Sequence, residues 1–155
     1  MKWSKPPLNK VYEALGSIAD SRVEVDGNTA KVYSSSRNKY YEVVYDPDAK
    51  TIVSNDNASY WVGYMGYPSI AFILAKGLVK YDTKLLTYLK GFAWKDLNMK
   101  FKKFEKTNAY VDEQIVKNYG VKIDRFHEEL EGILESIGRL NLHKPSKIKK
   151  PPSGY

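Results

Sequence analysis

At 155 residues, 43% hydrophobic and 28% charged, the chain is long enough for one domain with a substantial core. It has no cysteine, which excludes disulfides and thiolate metal sites, and its net charge of +7 points towards acidic partners. No apolar run reaches the roughly 18 residues of a membrane-spanning helix, and the opening MKWSKPPLNK has no apolar h-region. Neither a membrane span nor a signal peptide is therefore expected, and a cytoplasmic location is. Many lysines, 14% aromatics and the absence of cysteine also suit a heat-adapted, thermophile source.

Leu8, Val11, Tyr12, Leu15 and Ile18 follow Pro6-Pro7 at helical spacing and predict a helix near residues 7–20. Val23 and Val25 then alternate with polar residues, and Asp26-Gly27 signals a hairpin turn. Two further alternating stretches, around 30–34 and 40–45, are separated by a turn at Arg37-Asn38. Asp46-Pro47-Asp48-Ala49 makes another turn before Thr51, Ile52 and Val53. Four short strands in an antiparallel meander with one covered face are expected. After a polar and aromatic loop, Ile70 to Ala75 predict a short helix apolar on all sides, stopped by Gly77 and buried on the sheet.

From Tyr81 to about Leu140 the pattern is helical. Asp82 is a candidate N-cap for Leu85, Leu86 and Leu89, with a stop at Gly91. Trp94, Leu97, Phe101 and Phe104 repeat at three and four, and Asn108 is a candidate cap for a helix ending at Gly120. Phe126, Leu130, Ile133, Leu134 and Ile137 mark a last amphipathic helix with Glu128, Glu129, Glu131 and Glu135 facing solvent. The fold class is thus α+β, with a single domain over 1–142 whose helical part spans 81–140. A basic, proline-containing tail over 143–155 is expected to be extended and mobile unless it binds something.

Charge is segregated in the second half. Residues 76–106 hold nine lysines against three acids, 107–138 hold three bases against seven acids, and 139–155 hold five bases and no acid. Such segments belong either to solvated helix faces or to a contact with nucleic acid or an acidic protein.

The stretch 40–77 resembles the SWIM zinc-finger family, and the resemblance extends over about residues 32–76. That family has a strand pair, a C-x-C, a variable loop and a C-x-H opening an apolar helix. The same frame here reads Ser54-Asn55-Asp56, ten residues, then Tyr67-Pro68-Ser69 before IAFILA, preceded by VYSSSRNKYYEVVYD. Ser54, Asp56, Tyr67 and Ser69 occupy the four ligand positions, so the frame is a degenerate zinc finger without its ligands. The expectation is a metal-free loop closed by turn-side hydrogen bonds, with Ser69 as N-cap of the apolar helix and Tyr60, Trp61, Tyr64 and Tyr67 packed on the sheet edge. Exposed, the same rings beside a basic surface would instead stack on bases. The resemblance implies nucleic-acid or protein binding.

Signatures of catalysis are absent. There is no G-x-S-x-G, phosphate-binding glycine loop or dinucleotide fingerprint, and Asp46-Pro47-Asp48 reads as a turn rather than a calcium loop. His127, with Asp124 and Glu131 on its helix face, lacks further convergent ligands and is expected at the surface; His143 is expected where the last helix meets the tail. No cofactor and no metal are expected. The function expected is non-catalytic binding, with Lys95, Lys100, Lys102, Lys103, Lys106, Lys144, Lys147, Lys149 and Lys150 as phosphate contacts. The alternatives are a protein–protein adaptor or homo-oligomer subunit pairing the acidic helix with the basic segment, and an enzyme of unknown type.

Overall fold

A computed structural model describes residues 1–153; Gly154 and Tyr155, the end of the predicted tail, lie outside the described residues. Helix α1 (Asn9–Ala19) leads into strands β1 (Val23–Asp26), β2 (Thr29–Tyr33), β3 (Tyr40–Asp46) and β4 (Thr51–Ser54). They form one antiparallel sheet in the order β1-β2-β3-β4, with Val32 opposite Tyr41 and Val43 opposite Ser54. Alternation decides the faces, because successive strand side chains point to opposite sides. Ala30, Val32, Tyr41, Val43 and Ile52 are buried, whereas Lys31, Glu42 and Val44 face solvent.

A π-helical turn, Ala58–Val62, connects β4 to α2 (Tyr67–Lys76). Helix α2 begins three residues earlier than the apolar run, because Pro68 suits a first turn and Gly66 takes the N-cap place. It ends as expected, with Gly77 left-handed at φ 82°. Ile70, Ala71, Phe72 and Ile73 are fully buried between the sheet and α1, each large side chain stabilising the fold by about 1.5–3 kcal/mol.

Four helices complete the fold: α3 (Lys84–Leu89), α4 (Trp94–Phe101), α5 (Phe104–Tyr119) and α6 (Ile123–Arg139). Helix α1 packs against α2 on one side and against α3, α5 and α6 on others, so almost all of it is buried. The N-cap of α3 is Thr83 rather than the expected Asp82, which lies one residue earlier and accepts from the Lys84 N–H at 2.9 Å. The periodic run from Trp94 to Phe104 is not one helix. Lys102 is left-handed at φ 62°, which makes an elbow between α4 and α5. With α5 starting at Phe104, Asn108 lies inside it and caps nothing.

His127 is a correction as well. It is half-buried, and its Nε2 lies 2.8 Å from Asp112 Oδ2 on α5, while Tyr12 on α1 donates its hydroxyl to Asp112 Oδ1 at 2.7 Å. This chain pins three helices together, and its members are too far apart in sequence for i,i+4 logic to find. The start of the tail is docked. His143 exchanges backbone hydrogen bonds with Lys50 and Ile52 (2.8 and 3.2 Å), covering the open edge of β4. Trp3 donates its indole N–H to the Ile52 carbonyl at 2.9 Å. No helix among the described residues is long and apolar enough to cross a membrane.

Candidate functional site

The segment from β4 to α2 holds Ser54, Asp56, Tyr67 and Ser69, the four residues compared above with zinc ligands. Ser54, Asp56 and Ser69 are buried and Tyr67 is half-buried. Asp56 organises the turn: its carboxylate accepts from the Ser59 N–H (3.3 Å) and the Ser59 hydroxyl (2.5 Å), which in turn accepts from the Gly66 N–H (3.4 Å). Residue 66 has to be glycine, because a Cβ there would lie 1.7 Å from Asp56 Oδ2. Asn55 Oδ1 accepts from the Glu42 N–H at 2.8 Å.

Two expectations fail here. The Ser54 and Ser69 hydroxyls have no hydrogen-bond partner among the described residues, and Gly66, not Ser69, is the N-cap of α2. The aromatic residues split as well. Tyr67 packs edge-on to Tyr41 at 6.1 Å, but Trp61 is 65% exposed and cannot close the loop by burial; it stands edge-on to Tyr60 at 4.6 Å. No group of three or more His, Asp or Glu residues among those described is placed to hold a metal ion.

Beside this turn lies a cavity of about 520 Å³. Its walls come from α1, the β2–β3 turn, the Asp56 turn and the α4–α5 elbow. Arg22, 3% exposed, donates Nη1 to the Tyr33 carbonyl at 2.6 Å, and its Nε has no hydrogen-bond partner among the described residues. Glu13, also buried, accepts from Asn98 Nδ2 at 2.6 Å and pairs with Lys10 at 3.7 Å. The Lys95 N–H donates to Ser35 Oγ at 2.9 Å, which ties the first turn of α4 to the β2–β3 turn. Tyr41, Trp94 and Phe104 supply aromatic walls, with Lys10 Nζ 4.8 Å from the Phe104 centroid.

The cavity lining carries both signs, Lys10, Arg22 and Lys95 beside Glu13 and Asp56. Burial pushes the Asp56 carboxyl above its usual range, against the hydrogen bonds from Ser59 and the charge of Lys10. Burial raises the Tyr67 phenol strongly, against the pull of the nearby Arg22 guanidinium. Lys39 is lowered, first by partial burial and then by the like charge of Lys95.

The nine predicted lysines divide between two places. Lys95 lines the cavity, and Lys100, Lys102, Lys103 and Lys106 are exposed along the adjoining elbow. The tail lysines are elsewhere: Lys144 lies over the Trp3 ring at 5.2 Å, Lys149 reaches Glu42 at 3.7 Å, and Lys147 and Lys150 are exposed. None of these four lines the cavity. Sequence reasoning missed Lys10, Glu13, Arg22 and Asn98, all of which line the cavity. One signal for them existed, since α1 carries only Lys10 and Glu13 as charges, and a helix so poor in charge is covered all round.

A family model described as uncharacterised conserved protein UCP014422 matches residues 3–143. The chain belongs to that family. The UCP014422 match takes in the whole cavity, the elbow and the docked start of the tail. No curated protein and no solved structure matches the chain.

Proposed function

We propose that this protein binds single-stranded nucleic acid without catalysing a reaction on it, through the α4–α5 elbow and the cavity beside it. One observation carries the reading: a single short segment supplies both exposed cations and an aromatic wall. Along 95–106, the lining residues Lys95, Asn98, Met99 and Phe104 are interleaved with the exposed Lys100, Lys102, Lys103 and Lys106. Lys102, Lys103 and Lys106 form no ion pair with a carboxylate among the described residues. Cations that track a backbone beside rings that receive bases are the two parts of a sequence-tolerant single-strand site. The resemblance to SWIM modules supports the same reading. The tail lysines are left out of the proposed contact, since two of them are engaged with Trp3 and Glu42.

The test is fluorescence anisotropy of a labelled oligonucleotide, as RNA and as DNA, at several salt concentrations. Affinity should fall with salt by about 0.7 log units per log unit of salt for each phosphate neutralised on a single strand. Replacing Lys102, Lys103 and Lys106 together by Glu should lower that slope by about two. A salt-independent signal, or no binding at low salt, rejects the proposal.

A further inference from the structure

The geometry points to a more specific role for the cavity: it takes the base of one unstacked nucleotide, while the phosphates of that strand lie along the elbow lysines. This rests on the nucleic-acid reading for the strand, but the cavity's preference for a nucleobase stands on its own chemistry.

The volume, about 520 Å³, lies within the range of clefts that take a small molecule. Phe104, 40% exposed at the cavity wall, offers a ring for stacking, with the buried Trp94 behind the lining, and base-on-ring stacking needs no particular base. The polar groups behind them are mixed. Arg22 Nε is a buried donor without a partner among the described residues, whereas the buried Glu13 and Asp56 already accept from Asn98 and Ser59. A bare phosphate would leave the two carboxyl groups facing an anion. A purely apolar ligand would leave Arg22 Nε desolvated and unmatched. A nucleobase edge offers an acceptor to Arg22 Nε without setting a full negative charge beside the two carboxyl groups. Lys95, at the cavity wall and next in the chain to the elbow, is placed for the phosphate that links the enclosed base to the rest of the strand.

The experiment titrates adenosine, guanosine, cytidine and uridine 5′-monophosphates into the full-length chain, following the indole N–H resonance of Trp94. Phe104→Ala is the main variant, because that ring is 40% exposed and its removal leaves the core intact. The triple Lys102, Lys103 and Lys106 to Glu variant is the control. The expected result is a shift of the Trp94 signal with at least one monophosphate, and an affinity about 10-fold weaker in Phe104→Ala for both the monophosphate and the oligonucleotide. The lysine variant should lose oligonucleotide affinity and keep the monophosphate. Should Phe104→Ala prove unfolded, Met99→Ala, at a rim position 65% exposed, takes its place with the same expectation. Salt-dependent oligonucleotide binding that ignores Phe104 and Met99, together with no monophosphate binding by the folded chain, overturns the pocket and leaves the elbow reading standing. Monophosphate binding without oligonucleotide binding supports the pocket and rejects the strand.

Discussion

The layer around α2 and the cavity beside α1 share walls but are stabilised by different means. Around α2, four consecutive residues, Ile70 to Ile73, are shielded completely, and the contacts are apolar and interchangeable in character. Beside α1, charged groups are shielded almost as well: Glu13 is 5% exposed, Arg22 3% and Asp56 5%. Burying such groups is unfavourable unless each finds a partner, and Arg22 Nε does not. Glu13 and Asp56 are offset by hydrogen bonds that tie the cavity walls together, so Arg22 Nε is the group held at a disadvantage.

The largest effect that would sharpen this contrast is in the apolar layer. Phe72→Ala should cost about 3–5 kcal/mol in urea unfolding, since it removes a fully buried ring from α2 and leaves a cavity. A cost no greater than that of a surface change would break the comparison.

An intermediate effect should come from Asp56. Its pKa in the folded state lies above the ordinary 3.8, so folding favours the protonated form. That contribution to stability is complete below the unfolded pKa and is lost as pH rises through the raised folded value. Asp56→Asn keeps an oxygen for the Ser59 N–H and cannot ionise, so its melting temperature should fall less than the wild type's from acid towards neutral pH. Parallel melting curves across that range would show that the buried carboxyl is not the source of the slope.

The smallest effect is expected at Trp61. With that ring 65% exposed, Trp61→Ala should change stability by less than about 0.5 kcal/mol. Oligonucleotide affinity should nevertheless drop, because the ring projects from the turn that carries the cavity-lining Asn57 and Ala58. A strongly destabilised variant would restore the view of Trp61 as packing.

How much was legible differs between the two regions for the same physical reason. Apolar alternation with Asp26-Gly27 and Asp46-Pro47 identified four strands and their order, and Gly77 and Gly120 marked helix ends through their positive φ. These are local signals, in which each residue reports its own burial or backbone angle. The break at Lys102 was invisible, since a lysine in the left-handed region has no sequence mark and the spacing of Trp94, Leu97, Phe101 and Phe104 runs straight through it. The lysines of the elbow were legible as charge, whereas their junction with an aromatic cavity was not.

Residue order alone determined the α+β class, the meander, the buried central helix and the segregation of charge, because periodicity and turn chemistry act between near neighbours. Only the packed chain decided that Arg22, Glu13, Asp56 and Lys95 line one cavity, that Tyr12, Asp112 and His127 form one hydrogen-bonded chain, and that residue 143 covers an open strand edge. Those meetings join residues up to 100 positions apart. They depend on how whole elements dock, which no local pattern encodes.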